Sequence, residues 1–381
     1  MLSRAASVLT LISGLSLAAG LAPAQTAPAP ASVPKPVDIA ICLDTSGSMD
    51  GLIDAARQKL WDVVNDLATA KPRPALRVAL LSFGNDGYTQ ESGWVKVLLP
   101  FSTDLDEVSN QLFSLTTNGG TEYVGRVVSK ATSDLAWSTD AGLKLIIVAG
   151  NESADQDQQV SYKKASADAI AKGIMVNAIY CGPEGGPDAP AWREVATLAD
   201  GQFFAIDQNK NEVIPTPHDS KLAELSTALN GTYIPMGDAG VVAAENQVRQ
   251  DSNAAAAAPA AVASRAATKA GFLYRATWDL VDRVYAADAK ERVAVESVKA
   301  EDLPENMRSM TVEQRREYVE QQRTRREQIR KEIGEESAKR VAFLDEEKRK
   351  AAGAAGSETF ESALRRAVRE QAASKGFRWE K

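Results

Sequence analysis

Three side chains that carry oxygen ligands follow an apolar segment near the start of the chain. Residues 37–48 read VDIAICLDTSGS, so Asp44, Ser46 and Ser48 come directly after a buried strand and before a helix. One carboxylate and two hydroxyls suit a hard divalent cation such as Mg²⁺, with Mn²⁺ or Ca²⁺ as alternatives. The spacing therefore predicts a metal site at the carboxyl end of the first strand.

A second loop is needed, because hydroxyl groups alone bind a metal weakly. Residues 118–121, Asn-Gly-Gly-Thr, precede another helix, and their glycines let the backbone approach an ion that Thr121 Oγ1 then reaches. The alternative is local, since Asp, Ser and Gly also favour turns and helix caps. In that case Ser48 or Asp50 simply caps the first helix.

These motifs, in a stretch from Val37 to Asp207, resemble the von Willebrand factor type A domain and its metal-ion-dependent adhesion site. The resemblance implies coordination by Asp44, Ser46, Ser48 and Thr121. It also implies a protein partner whose Asp or Glu completes the coordination, and a binding module rather than an enzyme.

One family segment departs from the pattern. Type A domains usually place an Asp directly after the fourth strand, and here that position is Gly150. Either Glu152 or Asn151 replaces it, directly or through water, or the metal site is defective. Glu122, next to Thr121, is a further carboxylate that would orient bound water. We include Glu152 in the predicted metal site.

Enzymatic chemistry has little support in the sequence. A phosphatase that uses Asp44 as nucleophile needs a second Asp two residues later, where Ser46 stands. No phosphate-binding Gly-rich loop with a Lys follows the first strand. The single histidine, His218, lies in a Pro-flanked loop and is interpreted as a surface residue.

Alternating apolar runs and amphipathic segments predict the elements that carry this site. The predicted strands are Val37–Leu43, Leu76–Phe83, Trp94–Leu99, Leu143–Ala149, Met175–Cys181 and Gln202–Ile206. Helical spacing between them predicts an α/β fold with helices on both faces of a doubly wound, mostly parallel sheet. The resemblance implies strand order 3-2-1-4-5-6, and the turn at residues 85–87 makes strand three antiparallel.

The chain ends suggest further segments. Arg4, an apolar run and Ala22-Pro23-Ala24 predict an exported protein, periplasmic or secreted, that is cleaved after Ala24 and has no membrane span afterwards. The predicted segments are a signal peptide 1–24, a Pro/Ala linker 25–36, the type A domain 37–207, an extension 208–253, an Ala-rich linker 254–270 and a charged helical region 271–381. Residues 231–235 are an optional edge strand, and the Ala-rich linker could instead be a helix interrupted by Pro259.

The helical region is highly charged. Residues 301–350 contain 13 acidic and 13 basic residues, which favours a long solvated helix or helical hairpin. Apolar positions at Val319, Ile329 and Ile333 leave a coiled-coil homodimer as the alternative, although Arg326 interrupts the seam. The competing function is a metal-independent scaffold of the cell envelope that acts through these helices, and the Gly150 in place of the usual Asp supports it.

Charge and cysteine content set the remaining expectations. The net charge is −7 and no basic patch indicates nucleic acid. Cys42 and Cys181 lie on strands that the predicted order separates by one strand. Their Cα atoms would then be about 10 Å apart, beyond the reach of a disulfide. We expect two buried free thiols.

Overall fold

A six-stranded sheet forms the centre of the molecule. The computed structural model describes residues 34–206, 214–352 and 360–379. The strands are β1 (Lys35–Asp44), β2 (Pro74–Phe83), β3 (Val95–Ser102), β4 (Leu143–Gly150), β5 (Met175–Tyr180) and β6 (Phe203–Ala205). Their order is β3-β2-β1-β4-β5-β6, with β3 antiparallel to β2 and the other pairs parallel. The predicted fold class and strand order are confirmed.

Helices cover both faces of the sheet and continue beyond it. They are α1 (Asp50–Ala68), α2 (Leu105–Ser114), α3 (Val124–Asp134), α4 (Tyr162–Ala171), α5 (Ala189–Thr197), α6 (Asp219–Asn230), α7 (Gly237–Ala257), α8 (Pro259–Ala270), α9 (Leu280–Val284), α10 (Glu305–Arg308), α11 (Val312–Ala352) and α12 (Phe360–Ser374). Two short 3₁₀ turns lie at Val295–Ser297 and Ala300–Asp302.

The central position of β1 explains its unbroken apolar sequence. It pairs in parallel with β2 on one side and with β4 on the other, so helices bury both of its faces. Ile39 contributes to the core on one face and Ala40 to the core on the other. Since β1, β2, β4 and β5 run in the same direction, the loops that follow them share one edge of the sheet. Asp44 is the last residue of β1 and lies at that edge.

The end of the chain packs into the core of the sheet. On α12, Leu364, Val368 and Ala372 join the apolar core on the α1 face, and Phe377 follows them. Trp379 Nε1 donates to the Asp66 carbonyl (3.0 Å). Helix α12, which belongs to the charged helical region predicted over residues 271–381, is therefore part of the sheet domain.

The segment between β6 and α12 also packs on that domain. Asn65 Nδ2 on α1 donates to the carbonyl of Ser264 on α8 (2.9 Å), and Ser109 Oγ on α2 donates to Gln250 Oε1 on α7 (3.0 Å). The Ala-rich segment predicted as a linker over 254–270 is helical on both sides of Pro259, because its small side chains are buried against neighbouring helices. Residues 231–235 do not form an edge strand; only Pro235 makes an isolated bridge, to Asp279.

The long charged helix α11 is buried along one side. Ile329 and Ile333 pack with Leu222 and Leu229 of α6. Arg326, 2% exposed, forms ion pairs with Asp279 and Asp282, each at 2.7 Å. The long helix predicted here is present in the structure, but the face that carries Arg326, Ile329 and Ile333 is buried rather than solvated. Other helices of the same chain cover this face, so its burial does not require a second copy of the protein.

His218 also differs from its predicted role as a surface residue. It is partly buried at the start of α6, and its Nδ1 lies 2.6 Å from Glu336 Oε1 on α11. It therefore joins two helices of the packed structure.

Both cysteines are free and buried, as predicted. Cys42 lies on β1 and Cys181 just after β5, with β4 between these strands. Among the described residues, no helix combines the length and apolar character needed to cross a bilayer. The predicted signal peptide 1–24 and residues 25–33 of the predicted linker lie outside the described part of the chain, whereas β1 already begins at Lys35.

Candidate metal site

The Asp44 carboxylate is buried with one oxygen unpaired. Asp44 has no exposed surface, and its Oδ1 accepts a hydrogen bond from the Ser46 backbone N–H (2.8 Å). Its Oδ2 is buried without a hydrogen-bond partner among the described residues. A buried, unpaired carboxylate oxygen is costly unless a cation or a proton compensates it. This atom is the strongest structural indication of a cation site.

Two hydroxyls stand beside this carboxylate. Ser46 Oγ and Ser48 Oγ lie 3.4 Å apart, and Asn151 Nδ2 donates to Ser48 Oγ (2.9 Å). Helix α1 begins with Met49 at its N-cap position and has no side-chain cap. The N-cap position of α1 is therefore occupied by neither Ser48 nor Asp50, the two residues that the alternative interpretation names.

The second predicted loop is attached to the first by its backbone. Gly47 N–H donates to the Gly119 carbonyl (2.9 Å), and Asn118 N–H donates to the Thr45 carbonyl (3.0 Å). Thr121 is half-buried at the end of this loop, and its Oγ1 makes no hydrogen bond to any described residue. The structure thus brings the Thr121 loop to the Asp44 loop and leaves that hydroxyl available for a ligand.

Gly150, at the position where the resemblance implies an Asp, faces the Asp44 carboxylate. A Cβ at Gly150 would lie 3.0 Å from Asp44 Oδ2 and 3.1 Å from Trp192 Cη2. This space is tighter than ordinary van der Waals contact, so a side chain would require its neighbours to move. The absence of a side chain at position 150 therefore fits the close packing of Asp44 and Trp192 against the Gly150 backbone.

Glu122 lies closer to Asp44 than the sequence suggested. Gly84, with φ +77°, separates the two side chains, because a Cβ there would lie 2.7 Å from Asp44 Oδ1 and 2.9 Å from Glu122 Cγ. Glu122 is 3% exposed. A buried carboxylate from the Thr121 loop thus occupies the neighbourhood of the predicted ion.

Gln156 links the two glutamates of the site. Its Nε2 donates to Glu122 Oε2 (2.9 Å) and to Glu152 Oε2 (3.3 Å), and its Oε1 accepts from the Glu122 backbone N–H (3.3 Å). Glu152 itself is exposed, while its carbonyl accepts from Trp192 Nε1 (2.7 Å). Glu152 therefore lies at the rim of the site, where its carboxylate and that of Glu122 accept hydrogen bonds from the same Gln156 side-chain amide.

The electrostatics of the site favour a positive ligand. Burial raises the pKa of Asp44 to about 7; the negative charges of Glu122 and Glu152 add to the rise, and the Ser46 amide opposes it. Burial also raises the pKa of Glu122, although hydrogen bonding from Gln156 opposes this. Concentrated negative charge of this kind is relieved by a cation.

The donor set fits a hard divalent cation held partly by hydroxyls. Within the described residues, no group of three or more His, Cys, Asp or Glu side chains is arranged to hold a metal ion. Serine, threonine or water oxygens would therefore have to complete the coordination around Asp44. This is the composition that the sequence predicts for the site.

Several residues that support the site carry no clear signal in the sequence. No motif indicates Gln156, and the position of Glu122 next to Thr121 predicts only a water-orienting role. Asn85, part of the turn predicted at residues 85–87, is buried, and its Nδ2 donates to the Thr116 carbonyl (3.0 Å), joining two loops. An Asn at a predicted turn was an available signal; the contact of Gln156 with both glutamates was not, because it depends on how distant loops meet.

The family assignment follows from the fold, this site and a sequence comparison. The von Willebrand factor type A domain model matches residues 38–251, more than half of the chain and beyond residue 207, where we predicted the domain to end. The chain therefore belongs to the von Willebrand factor type A domain family. Domains of this family are commonly metal-dependent protein-interaction modules and are generally not enzymes. A search of curated proteins gave no match.

Solved structures with a similar fold come from diverse organisms. The type V pilus tip protein Mfa5 domain of Porphyromonas gingivalis is 15% identical with a TM-score of 0.37, covering 47% of this chain and 92% of that one. An aerotolerance-related membrane protein of Bacteroides fragilis is 18% identical with a TM-score of 0.33, covering 45% and 92%. Mussel proximal thread matrix protein 1, with a zinc-occupied adhesion site, is 14% identical with a TM-score of 0.36, covering 47% of this chain and 43% of its own. The present chain thus spans less than half of the mussel protein.

Proposed function

We propose that this protein is a divalent-cation-dependent protein-binding module. Asp44, Ser46, Ser48 and Thr121 would hold the ion, with Glu152 at the rim, and Mg²⁺ is the favoured cation over Mn²⁺ or Ca²⁺. When bound, the ion supplies an open position that attracts an Asp or Glu carboxylate of a partner protein.

The observation that carries this proposal is the buried, unpaired Oδ2 of Asp44. It lies beside two hydroxyls on the loop edge of the sheet, which is where open α/β folds bind their ligands. The raised pKa of Asp44 supports the same conclusion, because burial and the nearby glutamates disfavour its charged form without a cation.

The direct experiment is calorimetric titration of the protein with Mg²⁺, Mn²⁺ and Ca²⁺. We expect one saturable site in the unaltered protein and none in Asp44→Ala, because the variant loses the buried carboxylate that lies beside the Ser46 and Ser48 hydroxyls. Asp86→Ala, which removes an exposed carboxylate from a neighbouring loop, is the matched control and should bind normally. Equal binding by the unaltered protein and Asp44→Ala would overturn the proposal.

The competing function is a metal-independent scaffold that acts through its C-terminal helices, including assembly of copies. The packing of Ile329 and Ile333 against α6 weakens this alternative, since the apolar side of α11 is already occupied. Thermal unfolding with and without Mg²⁺ distinguishes the two functions. A binder is stabilised by its ligand, whereas a scaffold shows no saturable shift.

We also propose that the protein acts outside the cytoplasm, in a periplasm or as a secreted protein. The support is the predicted signal peptide, residues 1–24. Fractionation of cells that produce the full chain, with N-terminal sequencing of the product, tests both export and cleavage after Ala24.

A further inference from the structure

The edge of the sheet that carries the candidate metal site is strongly acidic. Five loops meet there, over residues 45–49, 84–94, 115–123, 151–161 and 181–188, and together they contain eight acidic residues and no Lys or Arg. The opposite ends of the same strands carry bases and acids together: Lys35, Lys71, Arg73, Lys172, Asp140 and Asp200. The edge with the five loops is therefore the one that carries acidic residues without bases, and we call it the loop face.

Little of this charge is neutralised by the protein itself. Among the described residues, the ion pairs of the five loops are Arg126 with Asp157 (2.7 Å) and Arg193 with Glu184 (3.4 Å). The other exposed acids of the loop face, none of which forms an ion pair with a described Lys or Arg, are Asp86, Glu91, Glu152 and Asp155. These carboxylates remain available to a partner.

An independent feature marks the same face as a ligand site. Asp44 Oδ2 is fully buried where β1 ends, beneath the loops, and has no hydrogen-bond partner among the described residues. The loops are joined around it by backbone hydrogen bonds, such as that from Asp86 N–H to the Asn118 carbonyl (3.1 Å). The acidic loops therefore share one edge of the sheet with a position where a cation is expected.

The charge distribution restricts the partner. A single dication near Asp44 would compensate the buried carboxylates, but Asp86, Glu91 and Asp155 would keep the surrounding surface negative. A partner that offers only acidic residues would meet repulsion at this rim, whereas basic residues would be attracted to it. We propose that the loop face binds a basic protein segment in which one carboxylate, directed at the metal, is flanked by Lys or Arg. This inference rests on the proposed function and specifies its partner.

The experiment uses the full chain and three labelled peptides, followed by fluorescence anisotropy in Mg²⁺ or EDTA. The first peptide has one Asp between two runs of three Lys, the second replaces every Lys by Ser, and the third replaces the Asp by Asn. We expect the first peptide to bind at least about tenfold more tightly than the second at low ionic strength, with the difference shrinking as salt is added. We also expect the first peptide to bind more weakly in EDTA than in Mg²⁺, and the third peptide, in which Asn replaces the Asp, to bind more weakly than the first.

Two triple variants of equal charge change serve as test and control. Asp86→Asn, Glu91→Gln and Asp155→Asn together should remove most of the preference for the Lys peptide while Mg²⁺ affinity is retained. The control, which changes exposed acids far from the loop face, combines Glu305→Gln, Glu313→Gln and Asp345→Asn and should preserve the preference.

Several outcomes would contradict the inference. These are equal affinity for the Lys and Ser peptides, no binding of either, equal effects of the two triple variants, or salt-dependent self-association in place of peptide binding. Because Mg²⁺ affinity is measured separately, failure of this inference is distinguishable from failure of the metal site, which would show as no Mg²⁺ binding at all.

Discussion

At the scale of single residues, the site depends on the environment of Asp44. A carboxylate that is buried, unpaired at Oδ2 and close to Glu122 is unfavourable in its charged form. The sequence places the Asp among hydroxyls, but only the surrounding loops make it sensitive to pH and cations.

The first prediction concerns pH. Burial raises the pKa of Asp44 from 3.8 to about 7, so the folded state holds this proton more tightly than the unfolded chain. Without divalent cation, Asp44 therefore stabilises the folded state below about pH 4, by roughly 4 kcal/mol at most. This stabilisation is lost as the pH rises to about 7. Urea unfolding in EDTA between about pH 4 and 7.5 measures it. In Asp44→Asn this contribution to the pH dependence of the unfolding free energy should disappear. If the variant showed the same pH dependence as the unaltered protein, Asp44 would not be its source.

The second prediction concerns Gln156, which donates to both Glu122 and Glu152. Gln156→Leu removes this shared donor, so the two carboxylates lose their orientation and we expect Mg²⁺ affinity to fall by about tenfold. Calorimetry measures the affinity, and circular dichroism checks that the fold is retained. Gln158→Leu, an exposed change in the same loop, should leave affinity unaltered; a similar loss there would mean that the effect is not specific.

At the scale of elements, the most informative finding is the position of α12. The sequence indicates an amphipathic helix near the end of the chain without showing where it docks. In the structure, Leu364 and Val368 lie in the same core as β1 and α1. The last helix therefore stabilises the sheet from which more than 150 residues separate it in sequence.

Substitution on α12 tests this arrangement. Leu364→Ala should lower the free energy of unfolding by about 2 to 5 kcal/mol, because it leaves a cavity in the sheet core. Arg366→Ala, at an exposed position of the same helix, should cost much less. Chemical denaturation of both variants gives the comparison, and equal small effects would mean that α12 does not belong to the core.

At the scale of the whole molecule, the helices after β6 and the sheet domain form a single packed body. The described residues belong to one compact unit, Val33–Lys381. Arg326 of α11 is buried against Asp279, which itself has no exposed surface. We therefore expect a single cooperative unfolding transition in place of separate transitions for domain and extension.

Breaking this buried ion pair should affect the entire chain. Arg326→Leu leaves Asp279 as an uncompensated buried charge, which should destabilise the protein by about 3 to 5 kcal/mol. Calorimetric unfolding is the measurement, and the neighbouring exposed Arg325→Leu is the control. If only part of the transition shifted, the helices and the sheet would be independent units.

The sequence alone determined the sheet, its order by family resemblance, the free cysteines and the oxygen-rich loop after β1. These features are local or periodic: an apolar run buried on both faces, helical spacing, and ligands adjacent in the chain. Tertiary contacts, in contrast, bury Glu122 beside Asp44, bring Gln156 to the site, turn Gly150 toward Asp44 and bury Arg326 and α12. Each of these depends on contacts between segments far apart in sequence, and the burial they create sets the charge balance at Asp44.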